Sequence, residues 1–205
     1  EKNHFPVLLD ELISIISPLY GGTFIDCTFG QGGYSKKILS NKNNKVVALD
    51  RDPETLIEAK KLLKRFKGRF RFENEKFSNI NTLKISDQNI KAIIFDLGYS
   101  TSQINDFKKG LSFNSKGKLN MRLGKNSISA DDVINKMSYE NLNKVFKFFG
   151  DEPKSKIIAR NIIKKRLKKK ILSEDLVNII ESAKKKYSKI NKSTKVYQSL
   201  RILVN

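Results

Sequence analysis

The sequence predicts an α/β fold in which a partial parallel sheet is followed by an all-helical region. Three observations favour this fold class: short β-branched and aromatic runs in the N-terminal half, helical patterns between those runs, and helical patterns alone after residue 129. Four runs are predicted to be strands, namely residues 23–28, 45–50, 69–74 and 90–96. Because strands that alternate with helices form right-handed βαβ units, the sheet is expected to be parallel.

The helices are predicted from apolar residues at helical spacing. Two of them, residues 34–41 and 54–66, lie between predicted strands. Residues 105–126 contain several glycines and few periodic apolar positions, which indicates a long ordered loop. Beyond this loop the sequence predicts helices only, over residues 130–136, 139–149, 153–170, 173–186 and 195–204. We interpret this second region as an all-helical domain inserted after the fourth strand.

The predicted domain organisation follows from the change of pattern near residue 105. Residues 1–105 form the α/β core, residues 106–190 form the loop and the helical insertion, and residues 191–205 begin a helix that returns to the core. The sheet is either only four strands wide or continues beyond Asn205. The last predicted helix stops without a capping residue, which favours the second alternative. The chain is therefore expected to lack the C-terminal part of a longer protein.

The net charge of +20 indicates a polyanionic partner. Residues 106–205 contain 25 Lys and Arg against 9 Asp and Glu, whereas residues 1–105 contain 16 against 12. A basic excess of this kind favours nucleic acid, because each neutralised phosphate releases counterions. The alternative is a compositional bias that enriches lysine throughout the chain.

Composition also excludes several classes of protein. No apolar run reaches the roughly 20 residues that a membrane span requires, and the N-terminus lacks a signal-peptide pattern. The single cysteine, Cys27, excludes an internal disulfide and a cysteine-rich metal site. We expect a cytoplasmic protein without a membrane partner or a metal, whose oligomeric state the sequence does not predict.

Candidate binding residues follow three of the predicted strands. A glycine turn, Gly30-Gln31-Gly32-Gly33, follows the first strand, Asp50 closes the second, and Asp96 closes the fourth. In open α/β sheets, ligands bind beyond the carboxyl ends of the strands, so these residues are expected to form a cofactor site. A nicotinamide fingerprint requires a third glycine three positions after Gly32, where this chain has Ser35. A nucleoside cofactor without phosphates does not need that glycine.

Several motifs, in this order and at these separations, resemble a known family. They include Asp26-x-Thr28-Phe29-Gly30-x-Gly32-Gly33, Asp50-Arg51-Asp52-Pro53, Asp96-Leu97-Gly98-x-Ser100, Gly117-x-Leu119-x-Met121-Arg122 and Gln198-x-Leu200-Arg201-Ile202-x-Val204-Asn205. The set is similar to that of the bacterial 16S ribosomal RNA cytosine-N4 methyltransferases, the RsmH or MraW family. The resemblance covers essentially the whole chain, although members of the family continue beyond the last motif.

The resemblance implies a Rossmann-like, S-adenosylmethionine-dependent methyltransferase core that is interrupted by a helical domain. It implies S-adenosylmethionine as the cofactor and places the cofactor contacts at Gly32, Gly33, Tyr34, Asp50, Phe77, Asp96 and Gln103. Asp96 is also the candidate catalytic residue, as an acceptor near the cytosine amine; the alternative is that it binds the cofactor only. Phe77 is a candidate for stacking on adenine, and its alternative role is that of a core aromatic residue.

The implied substrate is small-subunit ribosomal RNA, either naked or within the assembled subunit. Lys164, Lys165, Arg166 and Lys168 in one basic run, and a second run at Lys184–Lys186, are expected to contact phosphates. The alternative is that these lysines lie on solvated helix faces. Arg122 and Arg201 lie within motifs and are candidates for a more specific RNA contact. Two rival functions remain, a nicotinamide-dependent oxidoreductase and a non-catalytic RNA-binding module.

Overall fold

The computed structural model describes residues 6, 8–16, 18–85, 89–99, 103–104, 106–124, 126–184 and 190–205. Ser100 of the third motif, together with Lys185 and Lys186 of the second basic run, lies outside the described residues. The chain divides into two compact units, Glu1–Ser100 and Thr101–Asn205.

The first unit contains a parallel sheet of four described strands in the order β3-β2-β1-β4. The strands are β1 (Gly22–Asp26), β2 (Asn44–Leu49), β3 (Phe70–Glu73) and β4 (Ile90–Ile94). The predicted α/β fold class is confirmed, and each strand ends one or two residues before its predicted end. Because β1 has β2 on one side and β4 on the other, the strand order reverses at β1. This is the position at which doubly wound sheets bind their ligands.

Helices cover one face of this sheet. They are α1 (Leu9–Ile16), α2 (Gly33–Leu39) and α3 (Leu56–Arg65), and short 3-10 turns lie at Pro18–Tyr20, Pro53–Thr55 and Phe77–Thr82. Phe24 of β1 packs with Ile38 and Leu62 in the larger hydrophobic cluster. Since side chains alternate along a strand, Ile25 points to the opposite face, where it forms a smaller cluster with Leu49.

The second unit is helical. Its helices are α4 (Ala130–Lys136), α5 (Tyr139–Phe148), α6 (Ser155–Arg166), α7 (Ser173–Ala183) and α8 (Thr194–Val204). Helix α5 packs against α6 and α8, and α6 packs against α7. The predicted helices are confirmed, with α6 and α7 shorter than expected. The domain boundary at residue 105 and the return of residues 191–205 to the core stay predictions.

The loop that precedes α4 is ordered, as its sequence predicts. The backbone N–H of Met121 donates to the carbonyl of Lys109 at 2.6 Å, and that of Asp131 donates to the carbonyl of Leu119 at 2.6 Å. The side chains of Met121 and Leu119 are fully buried. In the described part of the chain, no helix combines the length and the apolar character needed to cross a membrane.

Candidate functional site

The loop that follows β1 is bonded to the ends of both neighbouring strands. The backbone N–H of Cys27 donates to the carbonyl of Ile94 in β4 at 2.9 Å, and that of Phe29 donates to the carbonyl of Leu49 in β2 at 3.0 Å. The loop therefore continues the hydrogen-bonding pattern of the sheet beyond its last strand residue. It lies at the point where the strand order reverses.

The two predicted carboxylates lie on either side of this loop. On the β2 side, Asp50 Oδ2 accepts a hydrogen bond from the backbone N–H of Gly30 at 2.8 Å. On the β4 side, the backbone N–H of Asp96 donates to Thr28 Oγ1 at 2.8 Å. The structure thus brings the loop, Asp50 and Asp96 together at one edge of the sheet. Their roles toward a cofactor stay predictions.

Asp50 already accepts backbone hydrogen bonds with both carboxylate oxygens. Besides the bond from Gly30, its Oδ1 accepts from the backbone N–H of Asp52 at 2.8 Å. Burial raises the pKa of Asp50, and these two bonds oppose that rise because they stabilise the ionised form. Each carboxylate oxygen has a further lone pair, so the group can still accept hydroxyl donors from a ligand.

Tyr34 lies in the first turn of α2 with only 5% of its surface exposed. Its hydroxyl donates to Asp96 Oδ2 at 3.5 Å, which is a long hydrogen bond. Burial raises the pKa of Tyr34, and the neighbouring carboxylate of Asp96 raises it further. The phenol therefore stays protonated at neutral pH and acts as a donor toward Asp96.

The three glycines of the turn after β1 differ in how much space a side chain would have. A Cβ at Gly32 would lie 2.8 Å from the ring of Phe29, and one at Gly33 would overlap the ring of Pro6. These two glycines are therefore required by packing within the chain itself. At Gly30 the nearest atom to such a Cβ is 3.9 Å away, so the backbone at that position is open to a ligand.

Phe77 is not a core aromatic residue, because 41% of its surface is exposed. Its ring meets that of Phe95, which follows β4, edge to face at 5.4 Å between centroids. Phe95 is itself 48% exposed. The pair leaves aromatic surface available for stacking. Gln103, the remaining predicted cofactor contact, belongs to the second unit, so it is not placed relative to these residues.

Asp26 stands at the head of the glycine motif, and no role of its own is predicted for it from the sequence. Its side chain is fully buried at the end of β1, where Oδ2 accepts from Ser35 Oγ at 2.7 Å and Oδ1 accepts from the backbone N–H of Thr28 at 3.3 Å. The carboxylate thereby ties the loop to the start of α2. The only signal in the sequence was its place at the head of the glycine motif.

We expect the carboxyl of Asp26 to titrate well above an ordinary aspartate. Burial raises the pKa of Asp26 from 3.8 to about 6, although the hydrogen bonds from Ser35 and Thr28 oppose the rise. Because the folded chain holds this proton more tightly than the unfolded chain, the free energy of unfolding falls as pH rises from about 4 to about 6. The loss is about 3 kcal/mol in total.

The carboxyl-carbon shift of Asp26 in an NMR titration measures this pKa directly. Ser35→Ala should raise the pKa further, because it removes a donor that favours the ionised form. Asp26→Asn should abolish the matching decrease in thermal stability between pH 4 and pH 6. A titration midpoint near 4 in the wild-type chain would contradict the expectation.

Three arginines that are predicted to bind RNA donate hydrogen bonds to backbone carbonyls of the chain, and their contacts with RNA stay predictions. Arg122 donates to the carbonyl of Asn126 at 3.3 Å and Arg201 to that of Leu111 at 3.1 Å. Arg166 donates to two carbonyls at the C-terminal end of α4, at 3.2 and 2.7 Å. A cation at a helix C-terminus stabilises the unsatisfied carbonyls there. The predicted lysines Lys164, Lys165 and Lys168 lie elsewhere, along a groove between α6 and α7.

Comparison with known families accounts for the arrangement of the first unit. A family model described as the MraW methylase family matches residues 1–205, which is the whole chain. The chain belongs to the MraW methylase family. The motifs that follow β1, β2 and β4 are therefore the motifs of a family of methyl-transferring enzymes, and a methylase requires a methyl donor.

Curated relatives of the chain carry a common name. The ribosomal RNA small subunit methyltransferase H of Orientia tsutsugamushi (strain Ikeda) is 38% identical over 98% of this chain and 67% of its own length. The protein of the same name from Bartonella bacilliformis is 38% identical over 100% of this chain and 62% of its own length. That from Rhizobium meliloti is 37% identical over 98% and 60%. The chain thus spans 60–67% of the length of these relatives.

Metal ligands do not cluster in the part of the chain that the structure describes. Within that part, no group of three or more His, Cys, Asp and Glu side chains is placed to hold an ion. The end of the sheet carries the carboxylates of Asp50 and Asp96, which accept hydrogen bonds, the phenol of Tyr34 and two exposed aromatic rings. This set can hold a nucleoside with hydroxyl and amino groups.

Proposed function

We propose that this protein transfers the methyl group of S-adenosylmethionine to the exocyclic N4 of a cytidine in small-subunit ribosomal RNA. The observation that carries the proposal is the loop after β1, which is bonded to Asp50 on one side and to Asp96 on the other. It occurs in a chain whose whole length matches a methylase family. The names of the relatives support ribosomal RNA of the small subunit as the substrate.

The residues present fit S-adenosylmethionine as the donor. Asp50 offers carboxylate lone pairs to a ribose diol, and the open backbone at Gly30 permits close approach of the ligand. The exposed rings of Phe77 and Phe95 offer apolar surface to an adenine base. We propose that Gly32, Gly33 and Tyr34 shape the turn beside the ligand, and the cofactor contact of Gln103 stays a prediction from the sequence.

Bound S-adenosylmethionine supplies an electrophilic methyl group on a sulfonium centre. The protein must then position a weak nucleophile, because the lone pair of the cytosine amine is delocalised into the ring. Catalysis therefore depends mainly on orientation, which can contribute several kcal/mol. We propose that Asp96 accepts a hydrogen bond from the amine, with its carboxylate held by the phenol of Tyr34.

The RNA is proposed to contact the second unit, which carries most of the net positive charge. Its substrate would place the protein in the cytoplasm, where ribosomal subunits are assembled. Arg122 and Arg201 hold the loop before α4, so their proposed effect on RNA is through the shape of that loop.

A titration of the purified chain distinguishes the proposed function from its two rivals. Calorimetry with S-adenosylmethionine should show saturable binding, and calorimetry with NADH should show none. Methyl transfer is then assayed with tritium-labelled donor on naked 16S RNA and on small subunits, followed by mass spectrometry of the nucleosides. N4-methylcytidine is the expected product. Binding of NADH alone would favour an oxidoreductase, and RNA binding without donor binding would favour a non-catalytic RNA-binding module.

A further inference from the structure

Residues 164–170 form a basic run at the C-terminal end of α6 and just after it. In the folded protein, the charged side chains of this run fall into two sets. One set is engaged with the protein: Arg166 caps α4, Lys169 pairs with Asp175 at 2.7 Å, and Lys170 pairs with Asp131 at 2.8 Å. The other set, Lys164, Lys165 and Lys168, forms no ion pair with the described part of the chain. The sequence shows one continuous basic run, and the structure separates its two sides.

The second set of lysines lines a groove within the second unit. The groove has a volume of about 390 Å³ and lies between α6 and α7. Residues 161, 164, 165 and 168 share one side of α6 and the turn after it, since positions three and four apart are neighbours on a helix. Asn178 and Ser182 line the groove from α7.

Most residues that line the groove are of polar types, and their three lysines and one aspartate give it a net positive charge. The hydroxyl of Ser182 donates to the backbone carbonyl of Asn178, and the side chains of Asn161 and Asn178 carry neutral amide donors. The carboxylate of Asp175 is already engaged by Lys169 and by the backbone N–H of Leu172 at 3.3 Å. Three ammonium groups that form no ion pair within the described residues, together with amide donors, complement phosphate oxygens.

We propose that this groove binds consecutive phosphates of an RNA strand. The inference rests on the proposed function for its choice of partner, because an RNA substrate supplies phosphates in a row. The three lysines among the residues that line the groove favour an anionic occupant. The contact is to the backbone, so it should position RNA without reading its sequence.

The test compares the wild-type chain with a triple variant, Lys164→Gln, Lys165→Gln and Lys168→Gln. Binding of a fluorescein-labelled single-stranded 16S RNA fragment is followed by anisotropy from 50 to 300 mM salt. We expect the triple variant to bind at least about tenfold more weakly at the lowest salt. The slope of log affinity against log salt should decrease by about 2, because three phosphate contacts are lost.

The matched control is a triple variant with the same change of charge, Lys60→Gln, Lys64→Gln and Lys67→Gln. These lysines are exposed on and after α3 in the first unit and belong to no proposed site. Their loss should change affinity by less than about threefold. Melting curves of both variants verify that they are folded, as expected for exposed lysines.

Three results would overturn the groove proposal. The first is an equal loss of affinity in the two triple variants, which would mean that only total charge matters. The second is an unchanged salt slope in the groove variant, and the third is equal competition by poly-glutamate at matched charge. The proposed function is judged separately, by S-adenosylmethionine binding of the wild-type chain. A groove effect without donor binding would leave an RNA site in a protein that does not methylate.

Discussion

Asp50→Ala is expected to reduce the affinity for S-adenosylmethionine by about a hundredfold or more. The substitution removes both carboxylate oxygens from the end of β2, where they are proposed to accept the ribose hydroxyls. Hydrogen bonds to a charged group contribute roughly 1.5–3 kcal/mol each, so two of them account for a change of this size.

The same substitution also releases two backbone donors. Gly30 N–H and Asp52 N–H each donate to Asp50 at 2.8 Å, and neither would keep this partner in the alanine variant. Part of the lost affinity would then come from a loosened loop. Asp50→Asn is an intermediate case, because its amide keeps the size and one acceptor oxygen but turns a donor toward the other backbone N–H. We expect it to lose about tenfold, less than the alanine variant, because one acceptor remains.

Asp52→Ala is the control for damage to the turn after β2 without loss of the Asp50 carboxylate. Asp52 is buried and caps the turn at Pro53–Thr55 by accepting from the backbone N–H of Glu54 at 3.1 Å, and no cofactor role is proposed for it. Loss of the Asp52 side chain should lower the melting temperature and should change the affinity for S-adenosylmethionine by less than about threefold. Calorimetry on the three variants measures all these affinities. If Asp50→Ala binds the donor like Asp52→Ala, the Asp50 carboxylate only braces the loop.

Most of the fold follows from local patterns that the sequence contains. The four strands are short β-branched runs, and their order along the chain with intervening helices requires parallel pairing. Helix α1 was not among the predicted helices, although Leu9, Leu12, Ile13 and Ile16 have helical spacing and pack on the sheet.

The site was predictable where it depends on strand ends and unpredictable where it depends on contacts. Asp50 and Asp96 follow parallel strands, so their common edge could be predicted from order alone. The buried partnership of Asp26 with Ser35 could not, because it requires the start of α2 to fold back over the end of β1. The reason for Gly33 is likewise a contact with Pro6, 27 residues earlier.

The basic run at residues 164–170 likewise shows that the sequence alone does not predict which charged side chains are available to a partner. When only the sequence is known, every lysine and arginine of the run is an equally good candidate for binding a phosphate. The fold directs Arg166 to carbonyls at the end of α4 and pairs Lys169 with Asp175 of α7, and both contacts are made to a different helix. Which charges remain for a partner is therefore a property of the tertiary structure.

Gly32→Ala is expected to destabilise the first unit and to abolish donor binding. Gly32 has φ of +73°, which an alanine adopts at a cost of about 1 kcal/mol. Its Cβ would in addition lie 2.8 Å and 2.9 Å from two ring atoms of Phe29. Phe29 packs edge-on against Phe72 at 5.2 Å and contacts Phe70, so moving its ring disturbs the core, at a cost of roughly 1–3 kcal/mol more.

Gly68→Ala provides a control with nearly the same backbone conformation. Gly68 has φ of +77° and no atom within 4 Å of the position that a Cβ would take. Its substitution should lower the melting temperature of the first unit by about 5 °C, whereas Gly32→Ala should lower it by at least about 10 °C. Scanning calorimetry measures both, and amide signals from β1 and β2 assign the transition to the first unit.

The difference between the two variants isolates the collision with Phe29. That collision would displace the backbone of Phe29, whose N–H donates to the carbonyl of Leu49. The neighbouring N–H of Gly30, which donates to Asp50, would move with it. The Gly68→Ala variant should therefore bind S-adenosylmethionine as tightly as the wild-type chain. The Gly32→Ala variant should not bind it even at temperatures at which the first unit is folded. Equal melting temperatures and equal affinities would show that the Phe29 ring moves aside freely. The glycine at position 32 would then be required by backbone conformation alone.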